Sequence, residues 1–147
     1  TLHVLSNICS DRTFNLNNMI SGEFYQIRVN DWGNKFWQIH FEWIPLDYKR
    51  LMGTGETEYE FVVHIEDRDL KSKTDALLQN AAVADEGCKI GFYKIDNVTY
   101  YRKKITVKKT IGEMTDVELN KFLSQMYSDV PRLIEFMEKY KIAPTSK

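Results

Sequence analysis

Cysteine is nearly absent from this chain. Cys9 and Cys88 are too few for a disulfide scaffold and lack the C-x-x-C spacing of a metal or redox motif. Free thiols in a reducing, cytoplasmic setting are the expectation. Long apolar runs are missing too: no stretch approaches the roughly 20 apolar residues that a membrane helix needs. The first residues show no basic segment leading into an apolar leader core, so a soluble protein without a membrane partner is expected. Net charge is almost nil at −1, which removes a generic polyanion binder from consideration and makes every charge argument local. The familiar catalytic signatures are absent as well: no Walker loop, no G-x-G-x-x-G, no G-x-S-x-G and no H-E-x-x-H. No cofactor is expected from motifs, and the chain reads as non-catalytic.

What is present is apolar and aromatic. With 43% hydrophobic and 13% aromatic residues, 147 residues suffice for one domain with its own core. The start at Thr1 rather than Met predicts a piece of a larger bacterial or phage polypeptide. The stretch FWQIHFEWI (36–44), a break at Pro45, and TEYEFVVHI (57–65) alternate as half-buried strands do. Trp37, Ile39, Phe41 and Trp43 share one face of the first, and Tyr59, Phe61, Val63 and Ile65 one face of the second. Gln38, His40 and Glu42, and Glu58, Glu60, His64 and Glu66, take the opposite faces. Two such strands are the centre of an antiparallel sheet that needs a cover on its apolar side.

Around that centre, Thr1 to Ser21 reads as a short strand or helical turn followed by a loop over the polar stretch Ser10 to Asn18. Glu23 to Val29 reads as a strand, turning at Asn30-Asp31-Trp32-Gly33-Asn34 into the Trp-rich strand as a hairpin. Pro45 ends that strand, and Gly53-Thr54-Gly55 marks a loop. Leu70, Leu77, Leu78 and Ala81 form a helical stripe capped by Asp67 or Asp69, with Gly87 past its end, which predicts one helix over Leu70 to Ala84 across the sheet. Cys88 is then a packed residue just after the helix. Lys89 to Ile95 and Val98 to Val107 predict a second hairpin about Asp96-Asn97. Thr115-Asp116-Val117-Glu118 is a capping box, and Leu119, Phe122, Leu123, Met126, Val130, Leu133, Ile134, Met137 and Tyr140 continue at helical spacing, with Pro131 predicting a kink or two short helices. The fold expected is α+β: an antiparallel sheet of about five strands, two helices on one face, and a long C-terminal helix kinked near Pro131.

Two groupings carry chemistry. His40, Glu42, His64 and Glu66 share one face if the two central strands are neighbours in register; imidazoles with carboxylates are ligands for zinc or non-haem iron, or the makings of acid–base work. A one-residue slip disperses them, and a solvated polar face is the plainer reading. The second grouping is Tyr93, Lys94, Tyr100, Tyr101, Arg102, Lys103, Lys104, Lys108 and Lys109. Cations that neutralise phosphates, interleaved with rings that stack on unpaired bases, suit nucleic acid; edge strands also carry lysine simply to deter aggregation. Between Glu56 and Asp69 six acids face one base, and between Lys89 and Lys109 seven bases face one acid, so the two poles belong on different strands or edges.

From Glu60 to Lys141, the order FVVHIEDRD, a helix with paired leucines, a strand, and a long helix carrying VPRLIEFMEKY resembles an uncharacterised bacterial domain that accompanies PD-(D/E)XK nuclease-like proteins as a C-terminal module. Leu5-Ser6-Asn7-Ile8 and Ser21-Gly22 continue the likeness. The resemblance implies an appended module in a defence or DNA-processing protein. It implies no nuclease site, because that site needs a carboxylate pair followed by lysine in an E-x-K context and no Glu-x-Lys occurs here. The layout is also similar to the bacterial secretion-chaperone-like fold, which binds protein segments. The functional expectation is a recognition module contacting nucleic acid through Tyr100, Tyr101, Arg102, Lys103, Lys104, Lys108 and Lys109. The alternative is a protein-interaction or homodimerisation module, and the third reading is a metal-dependent enzyme using His40 and His64.

Overall fold

A computed structural model describes residues 2–18, 25–32, 39–45, 57–109 and 111–143. Among them, helix α1 (Leu2–Ile8) leads into strands β1 (Phe14–Asn18), β2 (Tyr25–Val29), β3 (Ile39–Pro45) and β4 (Thr57–Ile65). Helices α2 (Arg68–Leu77) and α3 (Ala81–Lys89), strand β5 (Thr99–Val107), and helices α4 (Asp116–Met126) and α5 (Val130–Lys139) complete the order. The strands form one open antiparallel sheet in the order β1-β2-β3-β4-β5, so each strand pairs with its neighbour in sequence. The architecture is α+β, as the sequence predicts. Gly33-Asn34 of the expected turn, Phe36 to Gln38 of the Trp-rich strand, Glu23-Phe24 and the Gly53 to Gly55 loop lie outside the described residues.

The alternation in β3 and β4 sets which face is covered. Phe41 pairs with Val63, Trp43 with Phe61 and Ile39 with Ile65, and all six are buried. Phe61 stacks on Phe41 at 5.6 Å between ring centres and takes the edge of Tyr127 at 5.3 Å, while Tyr59 meets Phe122 at 5.0 Å. The turn after α4 and the inward stripe of α5 (Val130, Leu133, Ile134, Phe136, Met137) complete this layer. Burying such side chains contributes about 1.5–3 kcal/mol each, which offsets the entropy of ordering two amphipathic helices. Trp32 belongs to the same core, its indole N–H donating to Glu138 Oε2 at 3.1 Å.

The C-terminal helical segment is present and kinked, by 27°. Thr115 caps α4 with the reciprocal Glu118 bond of a capping box, and Pro131 lies in the first turn of α5, where its missing N–H costs nothing.

Several local expectations are corrected. The single helix over Leu70 to Ala84 is two, because Asn80 caps a new start at α3, its side chain accepting from Ala82 and Val83 N–H. Gly87 therefore sits inside α3, not beyond a helix end, and Cys88 on the last turn of α3 is exposed rather than packed. The polar stretch expected as loop contains β1, whose Phe14 and Leu16 pair with Val29 and Ile27. Lys89 to Ile95 is not a strand: Lys89 closes α3, and only Tyr93 and Ile95 bond backbone to backbone with Tyr100 and Thr99 around the Asp96-Asn97 turn. Asp96 holds that turn by accepting from the N–H groups of Val98 and Thr99.

Candidate metal centre

The face of the sheet opposite the helices is polar but not all wet. His40 pairs directly with His64 across β3 and β4, and Glu42 with Val62; His40 and Val62 are 0% and 1% exposed. The register that the sequence left open thus sets His40 opposite His64, with Glu42 and Glu66 on opposite sides of that pair along the ladder. The imidazole centres lie 5.6 Å apart, nearly perpendicular. Ligand atoms of His40, His64 and Glu66 all fall within 4.8 Å of one another.

Each of these side chains has a structural reason for its place. Gln26 of β2 pairs with Glu42 and donates to its Oε1 at 3.2 Å, and His40 Nε2 lies 3.3 Å from the same oxygen. That oxygen is 3.8 Å from His64 Nδ1, beyond hydrogen-bond reach. His64 Nδ1 is buried and has no hydrogen-bond partner among the described residues. The β4–β5 ladder is irregular between Val63 and His64, a kind of defect that re-aims side chains next to functional sites.

The electrostatics favour a cation. Burial lowers the His64 pKa, working against the nearby carboxylates of Glu42, Glu66 and Asp96, so the ring is held neutral and ready to give a lone pair. Burial opposes ionisation of Glu42, but the bonds from His40 and Gln26 and the two nearby imidazoles outweigh it and hold the carboxyl below its usual range. A tetrahedral ion bound at about 2.0–2.1 Å keeps its donors roughly 3.3 Å apart, so the three ligand atoms need to close in only modestly. Gln26 was not singled out from the sequence. Only the β2–β3 register brings it to Glu42, and no local signal marks it.

The second sequence grouping lies mostly on β5, and the structure disperses its chemistry. Tyr100 and Tyr101, expected on the surface of the basic strand, are buried. Their hydroxyls donate to Asp75 Oδ1 at 2.6 Å and Asp129 Oδ2 at 2.5 Å, and burial with those carboxylates pushes both phenols well above their ordinary pKa. Tyr93 is exposed, and Lys94 donates to Asp75 Oδ2 at 2.7 Å. Arg102 lies 3.4 Å from Asp96 and 3.9 Å from Glu60, and Lys104 3.7 Å from Glu60 and 3.8 Å from Glu58. Lys103 donates to the Gln125 carbonyl and Ser128, and Lys109 pairs with Glu118 at 3.0 Å. The acidic and basic poles are adjacent antiparallel strands that largely neutralise each other across the ladder. Lys108 is exposed. Among the described residues, no helix is long and apolar enough to cross a membrane.

No protein-family model matches the chain, and neither a curated protein nor a solved structure does.

Proposed function

We propose that this domain binds a divalent transition-metal ion, of the zinc or ferrous class, between β3 and β4 through His40, His64 and Glu66. The observation that carries the reading is the buried His64 Nδ1 without a hydrogen-bond partner among the described residues, set beside a second imidazole and facing carboxylates. A buried polar atom left unpaired costs about 1–3 kcal/mol, and a metal ion is a partner that both imidazoles and a carboxylate satisfy together. Glu42, held by Gln26, acts as the carboxylate that orients His40, the common arrangement behind metal-bound histidines. Three protein ligands leave one position for water or a ligand, so the site has the form of a reactive centre rather than a sealed structural one.

Equilibrium dialysis against Zn²⁺ followed by elemental analysis tests this, with Co²⁺ as the visible reporter. About one equivalent is expected for the native chain, with affinity reduced at least tenfold in His64→Gln and in Glu66→Gln, each checked for folding by circular dichroism. Uptake below about one-tenth equivalent at micromolar ion, or uptake indifferent to both substitutions, sinks the proposal.

The reading of β5 as a nucleic-acid surface keeps less support. Its tyrosines cannot stack on bases without leaving the core, and Arg102, Lys104 and Lys109 already face carboxylates.

A further inference from the structure

Strand β5 ends the sheet. Among the described residues it pairs with β4 on one side, and on the other the backbone N–H groups of Tyr93, Ile95 and Asp96 bond to it, at Tyr100 and Thr99 alone. The backbone from Arg102 to Val107 therefore offers its outer ladder groups along an open edge, a template that another extended chain can extend. Beside the end of this edge, against α4, lies a groove of about 390 Å³. Val107, Met114 and Phe122 give it an apolar floor, and Lys108, Lys109 and Lys121 stand around it with Glu118. Lys109 is engaged by Glu118, whereas Lys108 and Lys121 are exposed and have no partner among the described residues. The groove is thus apolar below and net positive at its rim.

The two faces of β5 set a pattern for whatever pairs with it. Ile105 and Val107 lie on the helix-covered face, opposite Tyr59 and Thr57, while Arg102 and Lys104 lie on the other, opposite Val62 and Glu60. An extended neighbour carrying apolar and acidic residues meets the groove floor with the first and Lys108 and Lys121 at its rim with the second, since Arg102 and Lys104 already face Asp96, Glu58 and Glu60. A second copy of this chain is a poor occupant, because an antiparallel β5–β5 pair sets arginine and lysine against arginine and lysine. A nucleic-acid strand is a poor one too: it gains nothing from the Val107, Met114 and Phe122 floor, and the two rings on β5, Tyr100 and Tyr101, are buried.

We propose that the β5 edge and the adjoining groove dock an extended acidic segment of a protein partner as a sixth strand, its apolar side chains entering the groove and its carboxylates meeting Lys108 and Lys121. This surface stands apart from the metal centre, and neither proposal depends on the other.

The probe is a synthetic peptide of alternating valine and glutamate, titrated into ¹⁵N-labelled protein. The largest shifts are expected at residues 102–109 and at Lys121, with slowed amide exchange along 102–107. Affinity falls at least tenfold in the double variant Lys108→Glu, Lys121→Glu; both residues are exposed, so the fold is retained, as circular dichroism verifies. A valine–lysine peptide of the same length serves as the charge control and should leave the spectrum unchanged. The proposal is overturned by an absence of shifts at millimolar peptide, by shifts outside this edge, by equal binding of the basic peptide, or by a single-stranded oligonucleotide that displaces the acidic peptide from the same residues.

Discussion

Burial has opposite consequences for the two kinds of reactive side chain in this molecule. At His64 it favours the neutral, lone-pair-bearing form that a metal requires. At Cys9 it disfavours the thiolate: burial first, then the Asp11 carboxylate, pushes the thiol up to about 11, against the pull of Arg12. Cys88, exposed on the last turn of α3, has no such shield. A disulfide-exchange reagent at pH 8 should therefore modify one thiol quickly, and peptide mass spectrometry should place the label on Cys88, with Cys9 reacting only after denaturant is added. Comparable rates at both positions would show that the α1 end is not packed as described. The chemistry of the residues was legible in the sequence as residue types. Their protonation was not, because desolvation depends on neighbours that are distant along the chain.

Elements meet in this fold through small residues and shared carboxylates. Gly87 lets α3 approach α5 and the following loop: a Cβ there would lie 2.6 Å from the Phe92 carbonyl oxygen and 3.2 Å from the Phe136 ring. Gly87→Ala should gain up to about 1 kcal/mol of helix propensity and lose about 1–3 kcal/mol to overpacking, for a net loss on the order of 1 kcal/mol in urea unfolding. Gly112→Ala is the control, since a Cβ there meets nothing within 4 Å, and it should be close to neutral. An increase in stability at Gly87→Ala would mean that α3 stands off from α5. The helical stripe Leu70 to Ala81 was readable by its period, yet the division at Asn80 was not. Asparagine caps helices well, but it also occurs inside them, so the residue type alone does not mark a boundary. In the folded chain the Asn80 side chain accepts from the N–H groups of Ala82 and Val83, and that cap marks the restart.

For the whole molecule, the helices are fastened to the edge strand by aspartates. Asp75 of α2 and Asp129 of the α4–α5 turn accept from Tyr100 and Tyr101. Burial opposes ionisation of both, but Lys94 and Tyr100 at Asp75, and Tyr101, Arg132 and Lys103 at Asp129, outweigh it and hold each below the ordinary carboxyl range. The unfolded chain therefore takes up these protons at higher pH than the folded one. Their contribution to stability is complete above the unfolded value, about 3.9, and is lost as pH falls through the lowered folded values. Urea midpoints measured between pH 6 and pH 3 should fall on acidification below about pH 4, with a shallower fall in the Asp75→Asn, Asp129→Asn double variant. An unchanged slope in that variant would remove these pairs from the acid response.

Local signals along the chain were enough for the class of the fold. The period-2 aromatic faces of 39–45 and 57–65, the capping box at Thr115 and the inward stripe of α5 are each set by backbone geometry within a few residues. Both His-x-Glu triplets were also in plain view. That their histidines face each other came from the folded sheet alone, since pairing His40 with His64 is a matter of register between strands, and a slip of one residue would send one imidazole into the aromatic core. The folded sheet, likewise, set the basic strand beside the acidic one and buried its tyrosines, because charge cancellation and burial belong to neighbours in space that the chain's order does not name.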